Sequence, residues 1–218
     1  MLSYFTVWSN ILVLMVAFLL WRDPLRQGPV FAVFRLASLV MITVTGVVYA
    51  LVLAPLWSPT GWQRVADETL HYTVPILAVV SYLVAGPRPG FSTRTLWASL
   101  SIPLAYVAYT LIGSPFITYT QDGQTRHWYP YHFLDVDDLG YGRVLGNIVG
   151  VFLLLLAVSG VFLYLNRKLP ERPTRSTAIL ILVVERLDCS AGGSDPISRV
   201  SRGWLCSSGG TQGPIACT

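Results

Sequence analysis

The chain has 218 residues, of which 53% are hydrophobic and only 12% charged, and its mean hydropathy is +0.57. So few charges cannot cover a water-soluble globule of this size, which excludes an ordinary soluble domain and leaves a membrane protein. Lys and Arg outnumber Asp and Glu by 15 to 11, but they cluster in short segments between apolar spans and beyond the last one, a pattern of membrane orientation rather than of nucleic-acid binding.

Five apolar spans can be drawn, at 4–21, 31–55, 65–85, 95–114 and 141–165. Each is near the length that bridges about 30 Å of hydrocarbon, so the sequence predicts an all-α integral membrane protein, a bundle of five transmembrane helices over 1–169. The first span begins almost at Met1, with neither a basic leader nor a small-residue cleavage site, so no separate signal peptide is visible. Thr6, Ser9 and Asn10 form an i, i+3, i+4 polar stripe in its opening turns. Arg22, Asp23 and Arg26 follow it, and Arg35 lies one turn inside the second span, within reach of snorkelling back. The connection before the third span carries one arginine, Arg64.

The third span holds Asp67, Glu68 and His71 in its first two turns and Pro75 just beyond. An ionisable imidazole inside a membrane span is costly to keep, and its default reading is functional. Asp67 and Glu68 lie four and three residues before His71, so either carboxylate could orient the ring. Pro75 has no N–H for the carbonyl of His71, which is left free. In the competing reading His71 bonds a neighbouring helix and Pro75 only kinks the segment.

Arg88 and Arg94 precede the fourth span, which carries Tyr106, Tyr109 and Thr110 late. The 115–140 connection holds Arg126 against Asp122, Asp135, Asp137 and Asp138, and its aromatic centre, His127-Trp128-Tyr129-Pro130-Tyr131-His132-Phe133-Leu134-Asp135, is expected to lie over the mouth of the bundle. The spacing of His127, His132 and Asp135 matches no standard metal motif, and no metal or other cofactor is predicted. The fifth span opens with Arg143, Asn147 and the glycines Gly142, Gly146 and Gly150, whose spacing predicts a face buried against a neighbouring helix. Arg167, Lys168, Arg172 and Arg175 follow it. The segment 170–218 is rich in Ser and Gly, contains Cys189, Cys206 and Cys217 without metal-type spacing, and reads as a disordered cytoplasmic tail unlike the rest of the chain, as an appended or frame-shifted end would be.

Basic and base-poor connections alternate, so the positive-inside rule places the N-terminus outside and the tail in the cytoplasm, as in a multi-pass protein of the plasma (inner) membrane. In that orientation His71 lies about 9 Å below the outer edge, at about 1.5 Å per residue, and Thr6 is at similar depth. Polar groups from four helices then collect in the outer leaflet, and a polar cavity open to the outer face would satisfy them. Ser9, Asn10, Tyr109, Arg143 and Asn147 are its candidate members; Ser, Thr and Asn are also ordinary partners in helix–helix contacts.

The runs Tyr4-Phe5-Thr6-Val7-Trp8-Ser9-Asn10, Gly61-Trp62 leading to His71-Tyr72-Thr73-Val74-Pro75, and Trp128 to Asp135 with Gly140 and Arg143 resemble the androgen-induced protein family. That family includes androgen-dependent tissue-factor-pathway-inhibitor-regulating protein and many bacterial membrane proteins, which this chain resembles in type. In its animal members the resemblance implies a multi-pass hydrolase of fatty acid esters of hydroxy fatty acids that uses one intramembrane threonine and one histidine. By motif, these are Thr6 and His71. Members usually carry a further span before the threonine helix, so the resemblance implies either a truncated start, with six helices at full length, or a bundle one helix short. The tail has no family counterpart.

The chemistry implied is coherent: a neutral imidazole accepts the threonine proton, the hydroxyl attacks a lipid ester, and water then clears the acyl-threonine. Asp67 or Glu68 would orient the ring, and Asn10, Tyr109, Asn147 and Arg143 are candidate oxyanion donors by depth alone. Acyl chains would lie along the apolar inner halves of the helices. The alternative is a non-enzymatic membrane protein, such as a lipid binder, small transporter or assembly partner, in which Thr6 and His71 merely bond to each other. A haem carrier would need two axial ligands inside the bundle, where His71 is the only histidine. Nothing in the sequence sets an oligomeric state.

Overall fold

A computed structural model of the chain describes residues 4–56, 58–84, 86–121 and 124–169; the predicted tail, 170–218, lies outside the described residues. Among the described residues four helices are long and apolar enough to cross a membrane: Phe5–Arg22, Pro29–Leu53, Thr93–Phe116 and Val136–Lys168. The regular α-helices are α1 (Phe5–Arg22), α2 (Pro29–Val48), α3 (Trp62–Glu68), α4 (Val74–Val84), α5 (Thr93–Gly113) and α6 (Val136–Lys168).

Helix α2 is the centre of the bundle and packs against α1, α4, α5 and α6. Its sequence is apolar all round, the signature of a helix surrounded by others. Leu36, Leu39, Val40 and Val44 meet Tyr82 of α4, Leu100 of α5 and Leu155 and Phe162 of α6 in the main core. A smaller cluster joins Leu12 of α1 to Ala37 and Met41. The outer faces remain apolar, with Leu14, Trp21, Leu51, Leu77, Ile112 and Leu145 all more than half exposed. Such a surface suits contact with lipid and not with water. Arg35 does not snorkel: it is buried at 5% exposure, with its guanidinium 5.6 Å from the Tyr82 ring centroid.

The third predicted span is not one regular helix. Helices α3 and α4 are joined directly by a π-helical turn, Thr69–Thr73, and α2 likewise ends in a π-helical turn, Tyr49–Leu53. Each turn ends two residues before a proline, Pro75 and Pro55. A proline cannot donate to the carbonyl four residues back, and its ring clashes with that carbonyl. Widening the preceding turn relieves the clash, and Val74 N–H then bonds to Thr69 O while Ala54 N–H bonds to Tyr49 O.

The all-α expectation is corrected in the 115–140 connection. It contains an antiparallel hairpin, β1 (Thr118–Gln121) with β2 (Gln124–His127), in register Thr118 opposite His127. Beyond the hairpin, Tyr131 and Phe133 stack with centroids 5.1 Å apart, and the Tyr4 ring meets Tyr131 edge-on at 5.9 Å. Asn147 Nδ2 donates to Phe133 O at 2.9 Å, which ties this stretch to α6. Asp135 caps α6 by accepting from Asp137 N–H and Asp138 N–H. Gly140, at φ +72°, breaks the helix after its first turn, in a conformation that a side chain would strain.

The glycine face of α6 departs from its expected role. Gly142, Gly146 and Gly150 are exposed, and a Cβ built at any of them meets nothing within 4 Å. Their spacing permits close approach of another helix but does not compel it.

Candidate functional site

Only one stripe of α1 is buried, Thr6, Ser9, Leu12 and Val16, because the remaining faces carry large apolar groups turned outward. The stripe places Thr6 in the first turn, with its Oγ1 3.1 Å from His71 Nε2 in the π turn between α3 and α4. On the other side of the imidazole, Nδ1 lies 3.1 Å from Asp67 Oδ1 and 3.0 Å from Asp67 O. A carboxylate and a carbonyl only accept, so Nδ1 carries a proton, and in the neutral ring Nε2 presents its lone pair to the Thr6 hydroxyl. The His71 and Asp67 side chains are each 14% exposed.

Tyr49, the first residue of the other π turn, completes this arrangement. Its ring lies flat on His71, with centroids 3.8 Å apart and planes at 14°, and its hydroxyl donates to Asp67 Oδ2. Both carboxylate oxygens are thereby engaged and the imidazole is held by stacking as well as by hydrogen bonds. Gly46, one turn earlier on α2, allows the close approach. A Cβ there would stand 3.2 Å from His71 O and 3.2 Å from Pro75 Cβ.

Ser9 and Asn10 brace the threonine without reaching its hydroxyl. Both donate to Thr6 O, at 3.0 and 2.8 Å. Ser9 Oγ also lies 2.9 Å from Thr45 Oγ1 of α2, and Asn10 Nδ2 donates to Leu70 O at 3.3 Å. In π register Leu70 O faces Pro75, which has no N–H, so Asn10 supplies the donor that the proline lacks.

The other candidates stand apart. Glu68 faces away from the ring and pairs with Arg64 at 2.8 Å on an exposed surface, so of the two acids only Asp67 meets His71. Tyr109 is half exposed and tilts against Trp8 at 5.9 Å; Arg143 is exposed; Asn147 is engaged with Phe133 O. His127 pairs with Asp137 at 2.9 Å and His132 with Asp138 at 3.5 Å. Among the described residues no three His, Cys, Asp or Glu side chains converge as metal ligands.

Thr6 opens onto an apolar cleft with about 770 Å³ of space outside atoms, part of it beyond the mouth. Thr6, Thr45, Tyr49, Tyr106 and Tyr131 supply its few polar groups, and Val44, Val107, Phe133, Ile148, Val151 and Leu155 are among its apolar walls. A second, polar depression lies beside Tyr49 and Asp67 and is lined by Ser58, Arg64, Glu68 and Tyr72. The Tyr131 hydroxyl accepts from Phe5 N–H at 3.0 Å, beside Thr6 on the wall of the cleft. Burial raises the Tyr131 pKa above its ordinary value, against the opposing pull of backbone donors at the start of α1, so the phenol stays protonated at neutral pH.

Tyr49, Thr45 and Tyr131 are the members that sequence reasoning missed. Tyr131 carried a signal, the dense aromatic run around it; Tyr49 and Thr45 carried none, because their roles come from a helix distant in sequence.

No protein-family model, curated protein or solved structure matches this chain.

Proposed function

We propose that this protein is an intramembrane hydrolase of lipid esters, with Thr6 as nucleophile, His71 as general base and Asp67 as the acid that orients it. The observation that carries this reading is the Thr6 Oγ1 to His71 Nε2 contact of 3.1 Å, on a ring whose other nitrogen is fixed by Asp67. Hydroxyl, neutral imidazole and carboxylate in that order are the elements of nucleophilic acyl transfer. The resemblance to the androgen-induced protein family supplies the substrate class, fatty acid esters of hydroxy fatty acids.

Thr6 Oγ attacks the ester carbonyl carbon as its proton passes to His71 Nε2, and that proton then leaves with the alcohol. A water then gives a proton to the same nitrogen and attacks the acyl-threonine; as that adduct collapses the fatty acid leaves and His71 returns the proton to Thr6 Oγ. The apolar cleft receives an acyl chain, and the lipid face of the bundle lets substrate arrive from the membrane. In this reading the chain is a multi-pass protein of the plasma (inner) membrane. The run 62–84 makes its fifth crossing, the N-terminus and hairpin face outside, and the basic segments face the cytoplasm.

Labelling of the membrane-embedded protein with a fluorophosphonate tests the assignment. Labelling is expected on Thr6 and should be lost in Thr6→Ala and in His71→Ala at unchanged expression. Labelling that survives both changes would exclude this site and leave the non-enzymatic reading, in which the same contact only joins two helices.

A further inference from the structure

We propose that Tyr131 is the oxyanion donor of this site, an inference that rests on the hydrolase reading. An ester attacked by Thr6 needs a hydrogen-bond donor beside the nucleophile, aimed where negative charge develops on the former carbonyl oxygen. Ser9, Asn10, Tyr109, Arg143 and Asn147 do not line the cleft. Tyr131 does, together with Thr6, and its hydroxyl is fixed 3.0 Å from the N–H of Phe5, the residue next to Thr6.

The start of α1 sets the direction in which Tyr131 can donate. The first amides of a helix have no partner within it, and no side chain of Tyr4 caps them. The phenolic oxygen of Tyr131 takes that place, accepting from Phe5 N–H at 3.0 Å. With its oxygen accepting from Phe5 N–H, the phenol keeps one hydrogen to give, and the cleft that it lines with Thr6 is where an acceptor would enter. Donors on the oxygen also polarise the O–H and strengthen what it donates.

In the step proposed, a bond forms between Thr6 Oγ and the ester carbon while the carbonyl π pair moves onto oxygen. The Thr6 proton goes to His71 Nε2. Tyr131 donates a hydrogen bond to the new oxyanion and keeps its proton. When the tetrahedral adduct collapses, that pair re-forms the carbonyl and the alkoxide leaves with the proton from His71.

Tyr131→Phe keeps the ring, and with it the stack on Phe133 and the edge contact with Tyr4. With a 4-methylumbelliferyl acyl ester in detergent micelles, its kcat should fall about 100-fold or more with little change in KM. Tyr4→Leu is the control for loop docking, since it removes a ring that holds the loop but no group in the cleft, and it should stay within about threefold of the parent. Tyr131→Phe activity within about threefold of the parent, or an equal loss in Tyr4→Leu, would overturn the proposal. If Tyr131→Phe does not accumulate, 2,3-difluorotyrosine at position 131 decides: its more acidic phenol should bring an alkaline fall in activity to lower pH, and an unmoved profile overturns the assignment. Hydrolysis that persists in Thr6→Ala would instead remove the underlying hydrolase reading, so the two failures are distinguishable.

Discussion

Asp67 and Glu68 are neighbours in the chain with opposite fates. One step of about 100° around a helix separates them, enough to turn one onto His71 and the other onto Arg64. Asp67→Asn should therefore be the more damaging change, because an amide nitrogen donating to Nδ1 would move the ring proton to Nε2, where it cannot accept from Thr6. Ester hydrolysis by Asp67→Asn is expected to fall by about 100-fold or more in a protein that still folds, whereas Glu68→Gln should hydrolyse at close to the parental rate. Equal rates in both variants would show that neither acid orients the base. The i, i+4 relation of Asp67 to His71 was legible in the sequence, but so was the i, i+3 relation of Glu68, and spacing alone cannot choose between them. Tyr49 decided the matter by donating to Asp67, and because the two sit on separate helical elements, no spacing within one helix reports their contact.

The two π-helical turns bring Tyr49 and His71 face to face. Extra width at a helical turn is a common device at functional sites, since it redirects side chains without ending the helix. Here the cause is local and visible in sequence, a proline two residues after each turn, although the direction in which each turn widens depends on neighbouring helices. Gly46 is the tightest point of that packing. Gly46→Ala should push the His71 carbonyl and Pro75 away from α2, cost about 1–3 kcal/mol of stability and lower hydrolysis as the ring leaves Tyr49. Thermal unfolding in detergent, read beside activity, checks both; an unchanged melting temperature would mean that the helix shifts freely. The glycines of α6 teach the converse, because the same small-residue spacing on an exposed face packs against nothing among the described residues.

The whole bundle turns apolar side chains outward around a buried α2, with the hairpin connection and the Thr6–His71 contact at one end. In the proposed orientation that end is extracellular. With Cys189, Cys206 and Cys217 replaced by serine, a cysteine in place of Thr120 in β1 should react with a membrane-impermeant maleimide in intact cells. One in place of Arg26 should react only after permeabilisation. The reverse pattern would move the site to the inner leaflet. Length, charge scarcity and long apolar runs were sufficient to determine a mostly helical chain with helices able to cross a membrane, and to place Thr6 and His71 each near one end of its span, because those properties depend on distance along each span. Which acid meets the imidazole, that Tyr49 stacks on it, that Tyr131 bonds the start of α1 and that the α6 glycines face outward were decided only in the tertiary structure. Rotation of one helix about its axis relative to another is set by the packing of side chains remote in sequence, and no single span carries that information.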